Sequence, residues 1–287
     1  MTEISRLGSL LAITMLWWLA GCAASPQAAA PITPATPPPT ITVISAEPTM
    51  LPPTIEVRPD AATEAGGAAI LPTVTPTPLV TVKTNEEMQA MNTQLIRAAE
   101  AGDTDTVQQL VEQGADIDAR DERGRTPVMA ATHGNHVETV QALIQLGADI
   151  NIRDNRLDNP FLYAGAEGLL EILNLTIDAG ADTTLTNRFG GTALIPAAER
   201  GHVEIVQTLL TRSDVNVNHV NNLGWTALLE AIVLSDGGVS HQQIVQLLVD
   251  HGADINIADK DGVTPLEHAL TRNFKEIETI LTAAQER

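Results

Sequence analysis

The tripeptide Gly-Ala-Asp recurs along this chain, first at intervals of 33 residues and then with small length changes, and this period constrains the fold more than any other feature. It stands at 114–116, 147–149, 180–182 and 252–254, and Arg212-Ser213-Asp214 takes its place once. A second series of the form Gly-X-Thr-Pro or Gly-X-Thr-Ala stands at 124–127, 190–193, 224–227 and 262–265. Such a period indicates a stack of similar units that bury their apolar faces only against one another.

The second series predicts the start of a helix in each unit. A threonine hydroxyl can accept a hydrogen bond from a free N–H of the first helical turn. Proline fits the next position because the missing N–H has no partner there. The threonines in this role are Thr126, Thr192, Thr226 and Thr264. A second helix follows in each unit, with apolar residues such as Val203, Val206 and Leu209 at helical spacing.

Together these motifs resemble the ankyrin repeat, over residues 90 to 285. The resemblance implies an all-α solenoid of helix pairs with short β-hairpin fingers. We place the repeat domain at 86–287, with six repeats at 88–120, 121–153, 154–186, 187–220, 221–258 and 259–287. The first helix is expected at 88–101. Leu157 replaces the glycine of the third finger, which predicts a distorted turn there.

The N-terminal residues predict export. Residues 10–20 form an apolar run of signal-peptide length, and Leu19-Ala20-Gly21-Cys22 resembles a bacterial lipoprotein box. We therefore predict a signal peptide at 1–21 and lipid attachment at Cys22, the one cysteine of the chain. The alternatives are an ordinary secretory signal or an uncleaved anchor. Residues 22–85 hold 13 of the 17 prolines and are expected to form a disordered Pro/Thr-rich linker.

Composition limits the classes of function. The formal charge of −20 repels phosphate backbones, so nucleic acid is not an expected partner. No arrangement of Ser, His and Asp, no phosphate-binding glycine loop and no metal-ligand spacing emerges, so the expectation is no catalytic site, no metal and no cofactor. His136 and His202 occupy one repeat position and are expected to be structural.

Arginine is concentrated at the predicted fingers of repeats two to four. The resemblance implies binding of a partner protein through the face formed by fingers and first helices. Six of the 13 Lys and Arg residues of 86–287 fall there, and Phe189 and Trp225 accompany them. Arginine binds carboxylates bidentately, and aromatic residues anchor interfaces. The candidate partner-binding residues are Arg120, Arg123, Arg125, Arg153, Arg156, Arg188, Phe189 and Trp225.

The sequence thus predicts a monomeric, non-catalytic protein-binding module, such as a scaffold, adaptor or inhibitor. It would be tethered by lipid outside the cytoplasmic membrane and would bind an acidic protein segment. One alternative concerns the fingers: the charged fingertips are simply solvated while Trp225 packs against its neighbour. Another concerns the function: the stack is an envelope spacer without a specific partner. An enzyme with an unrecognised site is a third interpretation.

Overall fold

The computed structural model describes residues 83–286, which contain twelve helices and no strand. The predicted signal peptide, Cys22 and the predicted linker as far as residue 82 lie outside the described residues. In chain order the helices are α1 Asn85–Ala101, α2 Thr104–Glu112, α3 Pro127–His133, α4 Val137–Gln145, α5 Pro160–Glu167, α6 Leu170–Asp178, α7 Leu194–Glu199, α8 Val203–Arg212, α9 Ala227–Val233, α10 Val239–Asp250, α11 Pro265–Arg272 and α12 Lys275–Gln285.

The helices form two layers. Each odd-numbered helix packs against the even-numbered helix that follows it, which gives six helix pairs. Odd-numbered helices also contact the next odd-numbered helix, and even-numbered helices contact the next even-numbered one. We call these the inner and outer layers. The prediction of an all-α stack of repeated helix pairs is confirmed for residues 83–286.

Small residues let the inner helices approach each other closely. Ala130, Ala131, Ala197 and Ala198 have no exposed surface. A Cβ atom added to Gly165 of α5 would lie 2.8 Å from the Cβ of Ala193, too close for a carbon–carbon contact. Leucine, isoleucine and valine of both layers fill the remaining space and form one continuous cluster of buried side chains.

Three of the four predicted threonine caps are present. In α3, α9 and α11 the N–H of the third residue donates to the threonine hydroxyl before the helix at 3.2–3.3 Å. These threonines are Thr126, Thr226 and Thr264. The prediction for Thr192 is wrong. The Ile195 N–H donates to the Thr192 carbonyl oxygen at 3.3 Å, and the buried Thr192 hydroxyl has no partner within the described residues.

Helix α1 begins three residues before the predicted Met88. The Glu87 N–H donates to Thr84 Oγ1 at 3.2 Å, and the Thr84 N–H donates to Glu87 Oε2 at 2.8 Å. This reciprocal pair satisfies two backbone donors that would otherwise be free at the helix start. The Thr-X-X-Glu spacing in the sequence encodes this boundary.

The fingers are tight turns, and none contains strand residues within 83–286. In the second finger the Asp121 N–H donates to the Arg125 carbonyl oxygen at 3.0 Å, and the Gly124 N–H donates to the Asp121 carbonyl oxygen at 2.9 Å. The third finger makes the same bonds, although Leu157 replaces glycine and takes a φ of 62°. The predicted distortion is therefore wrong, since the turn is kept and Leu157 adopts the strained backbone.

Candidate functional site

The fingers form a continuous row. We define the finger row as residues 121–125, 154–158, 187–191, 221–225 and 259–263. The Asn155 N–H donates to the Arg123 carbonyl oxygen, and the Asn222 N–H donates to the Phe189 carbonyl oxygen, both at 2.9 Å. Lys260 Nζ donates to the Asn222 carbonyl oxygen at 2.6 Å. These bonds fix neighbouring fingertips relative to each other.

Arg120 and Arg153 link successive repeats from positions 33 residues apart. Arg120 Nη2 donates to the Arg153 carbonyl oxygen at 2.6 Å, and Arg153 Nη1 donates to the Thr186 carbonyl oxygen at 3.1 Å. The guanidinium groups therefore connect the second finger to the third and the third to the fourth. Both arginines stabilise the row, although they were predicted to face a partner.

Arg125 is buried at the base of the second finger, with 9% of its surface exposed. Its Nε donates to Asp121 Oδ2 at 2.8 Å, and its Nη1 donates to Glu100 Oε1 at 3.0 Å. Two carboxylates thus already occupy the guanidinium. Little of Arg125 remains for a partner.

Three of the predicted arginines remain exposed along the row: Arg123, Arg156 and Arg188. The guanidinium of Arg123 makes no hydrogen bond or ion pair within residues 83–286. Arg156 Nε lies 4.0 Å from Asp158 Oδ2, and its side chain is 60% exposed. The Arg188 guanidinium lies 4.5 Å from the centre of the Phe189 ring.

Phe189 and Trp225 are both half-buried in the fourth and fifth fingers. The Trp225 N–H donates to Asn221 Oδ1 at 3.0 Å, so this finger has the same local geometry as the others. Leu223, which was not predicted as a binding residue, is 42% exposed at the tip of the fifth finger. Its position in the repeat matches that of Arg123 and would have identified it.

A cavity of about 240 Å³ opens between the second and third fingers. Its lining includes Arg123, Arg156 and His133. His133 Nε2 is buried and has no hydrogen-bond partner within the described residues. Burial, and then the positive charge of Arg125, lower the pKa of His133, so the imidazole is neutral near pH 7. The cavity therefore offers guanidinium donors and one unsatisfied ring nitrogen.

Acidic residues border this cavity and limit what it can bind. Asp154, which is 5% exposed, accepts the backbone N–H groups of Arg156 and Asp158 at 2.8 and 3.0 Å. Burial, and then the negative charge of Asp154, raise the pKa of Asp158 to about 6. An anion inside the cavity therefore meets both signs of charge, because Glu122 and Asp154 line it together with Arg123 and Arg156.

A larger groove of about 690 Å³ lies between α1 and the second finger. Arg97 and Asn92 line it from α1, and Arg120 and Arg123 line it from the finger side. The groove continues the cavity, because Arg123 belongs to both. Inner helices and fingers thus form one concave surface at the N-terminal end of the repeats.

The histidines contribute to packing between repeats. His136 Nε2 lies 3.0 Å from the Glu100 carbonyl oxygen, and His241 Nε2 lies 3.0 Å from the Glu199 carbonyl oxygen. Within residues 83–286 no three His, Cys, Asp or Glu side chains are grouped to hold a metal ion. In the same part of the chain no helix is long and apolar enough to cross a membrane.

Comparison with known proteins agrees with this architecture. A family model for ankyrin repeats in three copies matches residues 78–154 and 161–259, and one for many copies matches 240–279. YahD of Escherichia coli (strain K12), named for its ankyrin repeats, is 46% identical over 187 residues, which are 65% of this chain and 93% of that protein.

Solved structures show the same likeness. The crystal structure of an ankyrin repeat domain from Acinetobacter baumannii AYE has 56% sequence identity and a TM-score of 0.65, and the match covers 67% of this chain and 97% of that one. Human 2-5A-dependent ribonuclease is 47% identical over 47 residues, 16% of this chain but 6% of that protein, too little to transfer its activity. The chain belongs to the ankyrin repeat family, whose repeats are protein–protein interaction modules.

Proposed function

We propose that this protein is a non-catalytic adaptor or inhibitor that binds an acidic segment of another protein through its finger row. One observation carries the proposal. Arg123, Arg156 and Arg188 stay exposed on adjacent fingers of a chain whose formal charge is −20. A backbone bond joins the second and third fingers, and Arg153 bonds to the Thr186 carbonyl oxygen before the fourth finger, so mainly the three side chains are ordered when a partner binds.

Carboxylates are the chemistry that suits these three residues. Arginine presents parallel N–H donors that match the two oxygens of a carboxylate. Each such contact at an exposed arginine contributes about 0.2–1 kcal/mol, and more where the partner excludes water from it. The carboxylate lies at the mouth of this cavity, on the exposed guanidiniums of Arg123 and Arg156, because Asp154 lines the cavity and His133 Nε2 is buried.

The test is crosslinking in intact cells that express the full-length chain, followed by mass spectrometry. We compare the wild type with Arg123→Glu/Arg156→Glu/Arg188→Glu. A control with the same change in charge is Lys83→Glu/Arg212→Glu/Lys275→Glu, which alters exposed residues outside the finger row. The finger-row variant should lose at least about tenfold of one partner, crosslinked through an acidic peptide, and the control should retain it.

Equal capture by the wild type and the finger-row variant would refute partner binding through arginine. Failure to detect any stoichiometric partner would favour the role of envelope spacer. Light scattering of the purified chain tests the proposed monomer. Concentration-dependent association that the finger-row variant abolishes would mean that a second copy supplies the acidic segment.

The second part of the proposal places the protein at the cell envelope, attached through lipid on Cys22. Its support is the lipoprotein-like sequence that ends at Cys22, followed by a proline-rich stretch. Cys22→Ser should abolish incorporation of labelled fatty acid and move the protein out of the membrane fraction. An unlabelled wild-type protein would overturn this part and leave the binding proposal intact.

A further inference from the structure

The chemistry of the fingertips changes in a fixed order along the row. The third residue of each finger is Arg123, then Arg156, Phe189, Leu223 and Asp261. These positions are equivalent, because each finger is closed by the same two backbone hydrogen bonds. At this third position the row therefore runs from basic through apolar to acidic, while Leu157, Arg188 and Lys260 at other finger positions do not follow this order.

The apolar part of the row is unusual for an exposed surface. Leu223 is 42% exposed, and Val220 beside it is 45% exposed. Phe189 and Trp225 lie half-buried in the same pair of fingers, which the Asn222–Phe189 backbone bond joins. Apolar side chains gathered on neighbouring fingers offer a place where an apolar group of a partner can bind.

From this order we infer that the finger row binds one extended segment in a fixed register. A carboxylate of the segment lies at Arg123 and Arg156, and a large apolar side chain lies on Phe189 and Leu223. The inference rests on the proposed function and specifies its partner, an acidic segment with an apolar anchor. Asp261 disfavours a second carboxylate beyond the apolar pair.

The spacing of the two groups follows from the repeat. Neighbouring helices pack about 8–10 Å apart. The middle of the basic pair and the middle of the apolar pair are two repeats apart, which corresponds to about 16–20 Å. An extended chain advances about 3.3 Å per residue, so the carboxylate and the apolar side chain are about five or six residues apart.

Labelled peptides test this register on the full-length protein by fluorescence anisotropy. The reference peptide carries two glutamates, a spacer of four Gly/Ser residues and two leucines. Three others replace the leucines by serine, replace the glutamates by glutamine, or shorten the spacer to one residue. The reference peptide should bind about tenfold or more tighter than each of these.

Variants of the protein separate the two ends. The Leu223→Ser variant should bind the reference peptide only as tightly as the wild type binds the serine-substituted peptide. Its affinity for the serine-substituted peptide should equal that of the wild type. Its control is Leu270→Ser on α11, a site that is 49% exposed and outside the row. Arg123→Glu/Arg156→Glu should abolish binding of all three glutamate-containing peptides. Circular dichroism confirms that each variant is folded.

The outcomes distinguish the register from the proposed function. If acidic peptides bind through the arginines but spacing, leucines and Leu223 have no effect, the register is wrong and the proposed function stands. If no glutamate-containing peptide binds the wild type, both fail. If the leucine peptide binds equally well without glutamates and regardless of the arginine variant, both also fail.

Discussion

Glu230 is buried in the folded protein, and we expect its ionisation to lower the free energy of unfolding as pH rises. It belongs to inner helix α9 and is 5% exposed. Its Oε1 accepts a hydrogen bond from Asn221 Nδ2 at 2.7 Å. Burial, and then the negative charge of Glu199, raise the pKa of Glu230 to about 8. At neutral pH the folded protein therefore keeps this side chain protonated.

The sign of the effect follows from proton binding. In the unfolded chain the pKa of Glu230 returns to its ordinary value of 4.5. Between these two pKa values the folded state retains a proton that the unfolded state has released, so the free energy of unfolding falls as pH rises. The contribution is complete below pH 4.5 and lost above about pH 8. At about 1.4 kcal/mol per pKa unit, its upper limit is about 5 kcal/mol.

Glu230→Gln removes this titration and keeps an Oε1 acceptor for Asn221. Relative to the wild type, the variant should gain about 2–5 kcal/mol of stability when pH is raised from about 5 to about 9. Urea unfolding followed by circular dichroism at both pH values measures this. Glu199 titrates in both proteins, so its contribution largely cancels in the difference.

Glu204→Gln, on the exposed face of α8, provides a control for the loss of one surface charge. The reasoning would be refuted if the stability difference between wild type and Glu230→Gln stayed constant, within about 0.5 kcal/mol, across the same pH interval. That result would mean that water reaches Glu230 in the folded state and that burial does not hold its proton.

Three further changes test the local structure, each by urea unfolding near pH 7. Leu157→Gly should stabilise the protein by about 1 kcal/mol, because glycine tolerates the φ of 62° and the leucine side chain that is removed is 41% exposed. Unchanged or lower stability would contradict this prediction. Thr126→Ala should lower the free energy of unfolding by about 1 kcal/mol, and Thr192→Ala, which removes an unpartnered hydroxyl, should lower it by less. Equal losses would show that the hydrogen bond of the Thr126 cap is not the cause. Arg125→Ala should lower the free energy of unfolding by about 2–4 kcal/mol, and Arg123→Ala should change it by less than about 0.5 kcal/mol. A larger loss for Arg123→Ala would mean that Arg123, and not Arg125, stabilises the fold.

The repeat unit could be predicted from sequence because its signals are local. A threonine cap or a helix-ending glycine acts within a few residues, and Gly102, Gly168 and Gly201 at the ends of inner helices have left-handed φ values of 74–77°. The cap at Thr192 failed because the first turn of α7 directs the Ile195 N–H to a carbonyl oxygen. Small changes in turn geometry decide whether the carbonyl oxygen or the hydroxyl of Thr192 accepts this hydrogen bond. Such changes cannot be predicted from the residue types.

The division of the arginines could not be predicted, because it depends on contacts between repeats. Arg120 and Arg153 find carbonyl oxygens of the next finger, which exist as acceptors only once the stack has formed. Arg125 had a local signal, since Asp121 precedes it by four residues and pairs with it across the turn. Nothing near Arg123 in the sequence indicates that its guanidinium remains without a partner.

The two groups of arginines depend on each other. A binding surface made of turns would ordinarily lose conformational freedom when a partner arrives, and that loss weakens affinity. Here the bonds of Arg120 and Arg153 to neighbouring fingers restrict that freedom during folding. The exposed Arg123 and Arg156 are consequently displayed on fingers that Arg120 and Arg153 connect. It follows that Arg153→Ala should weaken binding of an acidic segment even though Arg153 itself touches no carboxylate.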